Sequence, residues 1–314
     1  MTIDAKPASA PPPRSALVGV VCALICVVIW AVNYPAMKVA FRELQPLAYT
    51  GWRFIIATVV LVGMGLARRE RLLPPPGGRK LAVVLALSGV GIYQWFYSWG
   101  VAHTSGFAAA LLNSVAPLLS LLLVAVLGWE KLTRFAVAGS IVAYAGVALF
   151  VYSARGGALG GLLGNLLCLV SAACWAVYSV NTSRIQGTMS TGTAHTATFI
   201  GGTAVILPYC LPSMLQQDYG KVHALSWTIL VLSALLPLVV AFRAWTAAIR
   251  ILGIQRATSY GFLIPVVAGV TSAAWTGERF SAGKIVAAVV VLAGLALTRV
   301  GRKAAVISAP VGEG

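Results

Sequence analysis

The chain has 314 residues, 59% of them hydrophobic and only 10% charged, with a net charge of +16. A soluble domain needs a surface that is roughly a quarter charged or more, so these proportions exclude a single water-soluble core and point to an integral membrane protein. The basic residues lie in short loops between apolar runs, not on a stripe or arm with interleaved aromatics; this argues against a nucleic-acid partner and makes topology the better explanation of the charge.

Residues 1–14 are rich in Pro and Ala and read as a disordered tail. A bilayer core of about 30 Å takes roughly twenty helical residues. Applied between the charged or Pro/Gly-rich breaks, that length fits spans near 15–36, 46–66, 80–101, 106–127, 133–152, 160–182, 192–211, 225–248, 256–275 and 282–300. The first run, Ala16 to Val32, is long for a signal-peptide core and lacks a small-residue cleavage site, so it reads as a retained span. The expected fold is an all-α integral membrane protein of ten transmembrane helices. Its units are a tail (1–14), a first five-helix repeat (15–152), a second (160–300) and a C-terminal tail (301–314).

The repeat is visible in the residues. Pro117 precedes Glu130-Lys131 by the same interval that separates Pro265 from Glu278-Arg279, and Ala145-Gly146 falls in register on Ala293-Gly294. Trp30-Ala31-Val32 and Trp175-Ala176-Val177 add a weaker echo in the first span of each half. With both termini on one side, that side holds Lys6, Arg14, Arg68, Arg69, Arg71, Arg79, Lys80, Lys131, Arg134, Arg184, Arg250, Arg256, Arg299, Arg302 and Lys303. The other side holds Lys38, Arg42, Arg155, Lys221, Arg279 and Lys284. Fifteen against six places the termini in the cytoplasm. Five spans per copy is odd, so the second repeat is expected to be inverted, as in many secondary transporters. Symmetric placement marks Glu130 and Glu278 as framework, each at a helix junction with a basic neighbour.

Polar groups at span midpoints are expensive against lipid and therefore mark candidate sites. In chain order these are Trp30 and Asn33 in span one, Tyr93, Gln94 and Tyr97 in span three, Asn113 in span four, Trp175 and Tyr178 in span six, and Arg243 in span eight. Asn113 stands four residues before Pro117, which removes a backbone donor, so a loosened helix beside an amide can offer donor and acceptor to a zwitterion. Tyr93 and Tyr97 share a helix face at i,i+4, with Gln94 beside them. Trp95 and Trp99 read as membrane anchors. Arg53, near the start of span two, reads as a snorkelling side chain. Arg243 is either a cavity cation or, if its helix ends early, a loop charge. All five cysteines sit in apolar runs without His or carboxylate neighbours, so neither a disulfide framework nor a metal or other cofactor is implied.

The paired five-span halves, Trp-Ala-Val-Asn-Tyr-Pro-Ala-Met-Lys at the end of span one, and the duplicated Pro-Glu-Lys/Arg pattern resemble the drug/metabolite transporter superfamily, specifically its EamA-type members. Within it, Trp30, the aromatic third span, Asn113 and Trp175 most resemble the YddG-type aromatic amino acid exporters of bacterial inner membranes. The resemblance implies a central cavity between the halves and alternating access. No span carries Asp or Glu near its middle and the three histidines lie at or near span ends, which disfavours a carboxylate-dependent multidrug pump and is compatible with a facilitator. A non-enzymatic exporter of aromatic or hydrophobic neutral amino acids is thus expected, multi-pass in the bacterial inner membrane. A monomer is expected, with a dimer left open. Export of drugs, nucleosides or other metabolites is the alternative; a membrane enzyme or channel would need a His/Asp/Cys cluster or a filter sequence, neither of which the spans carry.

Overall fold

The computed structural model describes residues 13–128, 133–153, 159–185, 188–252, 260–261 and 263–298, and the regular elements among them are all helical. They are α1 (Pro13–Ala40), α2 (Pro46–Ala67), α3 (Arg79–Ala86), α4 (Ile92–His103), α5 (Gly106–Asn113), α6 (Ala116–Val126), α7 (Arg134–Ser153), α8 (Leu159–Thr182), α9 (Thr191–Gln216), α10 (Ala224–Leu235), α11 (Ala241–Leu252), α12 (Leu263–Thr276) and α13 (Ala282–Leu297). Among the described residues, seven helical stretches are long and apolar enough to cross a membrane, and three more, Arg134–Phe150, Leu263–Thr276 and Ala282–Leu297, are apolar but shorter. Glu130, Lys131, both chain ends and the loop cations Lys6, Arg155, Arg256, Arg299, Arg302 and Lys303 lie outside the described residues.

Local chemistry sets the helix ends. Pro46 occupies the first turn of α2, where its missing N–H is no loss. Ser105, Ser190 and Ser281 cap α5, α9 and α13 by accepting the N–H of Ala108, Thr193 and Lys284. Three stretches are interrupted. Helices α3 and α4 join through a π-helical turn at Leu87–Gly91, closed by Ile92 N–H to the Leu87 carbonyl. Helices α10 and α11 join through another at Leu236–Val240, closed by Ala241 N–H to Leu236. Between α5 and α6 the helix turns at Ser114–Val115, because Pro117 cannot donate to the Asn113 carbonyl one turn back.

The packing crosses between the N-terminal and C-terminal halves and does so reciprocally. Helix α1 lies on α10, α11 and α12, while α8 lies on α3, α4, α5 and α6; α2 pairs with α9, α5 with α12 and α7 with α13. The tightest crossing is α7 on α13, where Gly146 faces the Val291 backbone and Gly294 the Ala143 backbone with no room for a Cβ.

At one end of the molecule the α1–α2 loop is tied to the α9–α10 loop. Glu43 accepts from Ser226 Oγ (2.7 Å), His223 N–H (3.0 Å) and His223 Nδ1 (2.7 Å), and Gln217 bonds the backbone of Glu43 and Gln45. The Ser226 hydrogen bond, then those of His223, hold the Glu43 carboxyl below its usual range at the start of α10. At the opposite end, Glu70 of the α2–α3 loop abuts Gly192 at the start of α9, and Gly78 abuts Thr188 and Met189.

Candidate functional site

An aromatic run drawn from both halves crosses the middle of the helices. Tyr93 stacks on Tyr97 at 5.4 Å, Tyr97 meets Tyr34 at 5.8 Å, and Tyr93 meets Trp175 at 5.3 Å, which in turn meets Tyr178 at 4.9 Å. Trp175 also faces Phe242 at 6.1 Å, and Phe242 continues the run to Trp30 at 6.3 Å; Trp30 lies 5.4 Å from Trp245. Helical periodicity produces this, since Tyr93 and Tyr97 on α4 and Trp175 and Tyr178 on α8 are one turn apart. Gly89 in the π turn lets the Tyr178 ring lie against backbone, where any side chain would collide.

Phe242 was not among the expected site residues. The π turns show why it belongs with Tyr93. Leu87–Gly91 and Leu236–Val240 occupy matching places, 149 residues apart, one more than the interval between Pro117 and Pro265. In that register Tyr93 corresponds to Phe242 and Gln94 to Arg243. The carbonyls of the two π turns are used alike: Tyr209 Oη donates to Gly91 (2.7 Å) and Trp30 Nε1 to Pro237 (3.2 Å).

The polar groups concentrate on α1, α2 and α4. Asn33 is buried, its Nδ2 lying 3.2 Å from Met37 Sδ and 3.5 Å from Tyr97 Oη, and its Oδ1 has no partner among the described residues. Gln94 is 2% exposed and its Oε1 likewise has none. Arg53 corrects the expectation of a snorkelling side chain: it is 3% exposed, inside the bundle. Pro237 explains its anchorage, since a proline leaves the carbonyl of Ser233 without its helical donor, and Arg53 Nε donates to that carbonyl at 2.9 Å. Tyr49 Oη donates to Ser233 Oγ, fixing the same turn. Arg53 Nη1 is buried and unpartnered among the described residues, and the guanidinium lies in electrostatic range of Tyr49, Tyr93 and Tyr97. A cation at membrane depth costs about 2.5–3.5 kcal/mol on insertion scales, which a single carbonyl does not offset.

Asn113 and Arg243 make their contacts outside this polar group. Asn113 is engaged in packing: its Nδ2 donates to Ala109 O at 2.9 Å and its Oδ1 accepts from Ser171 Oγ at 2.9 Å, so it pins α5 to α8 one turn from Trp175. Arg243 lies in a helix that runs on to Leu252, but the apolar stretch ends at Trp245, two residues beyond it, as the early-ending alternative required. Its charged neighbours are Arg68 and Glu70 at the α2–α3 end, and it lies near His195. His195, expected at a span end, stacks on Phe242 at 4.7 Å with its Nε2 buried and unpartnered among the described residues.

At the α1–α2 end a cavity of about 730 Å³ is lined by Lys38, Arg42, Pro46, Trp99, His103 and Glu278, among others. Trp99 therefore lines a cavity, stacked on His103 at 5.0 Å, while Trp95 faces outward as an anchor would. Lys38, expected in a loop, lies within α1 and donates to the Ala102 carbonyl at 2.9 Å. Glu278 Oε2 accepts Phe107 N–H at 3.3 Å, so it caps α5 in the other half of the chain instead of the helix that follows it. Groups of three or more His, Cys, Asp or Glu able to hold a metal ion do not occur among the described residues.

The chain matches the model of the EamA-like transporter family twice, over residues 17–152 and 162–300. It is 28% identical over 257 residues to a probable terminal-alkyne amino-acid exporter of Streptantibioticus cattleyicolor, covering 81% of this chain and 84% of that one. It is 24% identical over 282 residues to a probable amino-acid metabolite efflux pump of Escherichia coli, covering 88% and 92%. A crystal structure sharing 22% identity superposes with a TM-score of 0.62 over 90% of this chain and 95% of the other, a likeness of fold.

Proposed function

Since the chain belongs to the EamA-like transporter family and is a multi-pass membrane transporter, we propose that it exports amino acids with aromatic or hydrophobic side chains across a bacterial inner membrane. Ten spans form two inverted five-helix halves, residues 15–152 and 160–300, that rock about the aromatic run, with both termini cytoplasmic. The reciprocal packing supports this reading, because α1 against α10–α11 and α8 against α3–α4 are the same contact once the halves are exchanged. The observation that carries the substrate class is the run Tyr97–Tyr93–Trp175–Phe242–Trp30, with rings from both halves and each ring pair offering about 0.5–1.5 kcal/mol to a flat guest. The names of the relatives agree with amino-acid cargo.

Counterflow in liposomes with labelled Phe, Trp and Thr and a cationic dye tests it. Saturable exchange of Phe and Trp is expected, with Thr weaker; uptake of the dye alone would sink the reading. We read the protein as a facilitator, so an imposed pH gradient should not drive accumulation. The observation favouring proton coupling instead is the buried His195 on Phe242, and uphill accumulation that His195→Phe abolishes would replace the facilitator by an antiporter.

A further inference from the structure

Three buried side chains on neighbouring helices each hold a polar atom without a partner among the described residues: Arg53 Nη1 on α2, Gln94 Oε1 on α4 and Asn33 Oδ1 on α1. One is a cationic donor and two are neutral acceptors. Helix register brings them to one level. Thr50 Oγ1 and Ser98 Oγ meet at 2.6 Å across α2 and α4. These helices are antiparallel, since the start of α2 at Pro46 and the end of α4 at Ala102 and His103 line the same cavity. One turn deeper than Thr50 and Ser98 stand Arg53 and Gln94. Asn33 joins them through Tyr97, at 3.5 Å from its hydroxyl, and Tyr97 is itself in electrostatic range of Arg53.

We propose that Arg53, Asn33 and Gln94 form a subsite for the zwitterionic head of an α-amino acid, with the carboxylate taken by Arg53 Nη1 and the ammonium by the two amide oxygens. The inference rests on the amino-acid reading above and specifies how the head group is read, leaving the aromatic run to take the side chain. The chemistry is selective in both directions. A guanidinium fork held by Nε to Ser233 O presents its remaining donors in a fixed plane, which suits a carboxylate. Uncharged amide oxygens accept from an ammonium without themselves needing a counter-ion. The ion pairs among the described residues, Lys221–Asp218 and His223–Glu43, do not involve Arg53, so no carboxylate of the described residues answers it. The buried Thr50–Ser98 bridge lies between this layer and the α1–α2 end of the helices.

The wild-type protein in liposomes is offered labelled phenylalanine in competition with phenylalanine methyl ester, 3-phenylpropionate and phenethylamine. Phenylalanine should compete at least tenfold better than any of the three, each of which lacks one charge. Wild-type phenylalanine counterflow inhibited equally by the methyl ester would overturn the subsite while leaving amino-acid export standing; absence of phenylalanine counterflow would fell the export reading itself. For the residue, Arg53→Gln should lose phenylalanine exchange at least tenfold and lose its preference over phenethylamine, while Arg53→Lys, which keeps the charge without the fork, recovers part of it. If both variants keep the wild-type preference among the four compounds, the assignment to Arg53 is wrong. Should Arg53→Gln fail to fold, the ester comparison on the wild type and the Arg53→Lys profile still decide the matter.

Discussion

Phe242 is the residue on which the aromatic run turns, since it touches Trp30, Trp175, His195 and Phe199. Replacing it with Leu keeps an apolar side chain of similar reach and removes the ring. Loss of one aromatic pair, about 0.5–1.5 kcal/mol, translates into a rise in KM of roughly two- to twelvefold. The expected result is that Phe242→Leu raises KM for phenylalanine counterflow within that range with expression and detergent Tm unchanged; an unaltered KM would remove Phe242 from the site. The sequence made Trp30, Trp175, Tyr93 and Tyr97 conspicuous because rings at helical spacing are rare enough to notice. Phe242 was hidden because one Phe in an apolar run carries no signal until its partners are known. Arg53 was hidden for a related reason: nearness to a span's end suggests snorkelling, and the sequence does not show that its helix face meets the Ser233 carbonyl that Pro237 frees.

At the scale of elements, apolar length and breaking residues were enough to place helices over the described spans. The interruptions within them were not legible. A π turn inserts one residue into the helical repeat without any obligatory residue type, and here one stands at the matching place in each half, before α4 and before α11. The Ala-Gly pairs were visible as a repeat, but their use became clear only at the α7–α13 crossing. A Cβ on Gly146 would lie 2.6 Å from Val291 N, a backbone atom that cannot rotate away, so the helices must part. Gly161, by contrast, has open space around it. Gly146→Ala should therefore destabilise by about 1–3 kcal/mol, the usual range for overpacking, seen as a detergent Tm lower by several degrees, while Gly161→Ala leaves Tm unchanged or slightly raised. Equal effects of the two would mean that the crossing is not tightly packed in the folded protein.

At the scale of the whole molecule, the functional argument depends on which end faces the cytoplasm. The proposed orientation rests on charge, independently of packing: Arg68, Arg69, Arg71, Arg79 and Lys80 crowd the α2–α3 connection, and a bias of cations toward one side is the signature of cytoplasmic loops. The α9–α10 loop lies at the other end, bonded to Glu43 of the α1–α2 loop. Lys221 and Leu73 report on the two ends. Lys221 is exposed and pairs with Asp218 at 2.9 Å, an exposed pair of little energetic weight, and Leu73 is 66% exposed. Each can be replaced by Cys with little disturbance; Cys26, Cys168 and Cys210 are buried and Cys22 and Cys174 half-buried, so the variants are made in a Cys22→Ser, Cys174→Ser background. An impermeant maleimide should label Lys221→Cys in intact cells and Leu73→Cys only after permeabilisation. The reverse pattern would invert the orientation, and the cavity beside Glu278 would then open to the cytoplasm and receive cargo instead of releasing it. Labelling of both from outside would contradict the parity of spans between positions 73 and 221 and with it the two inverted halves.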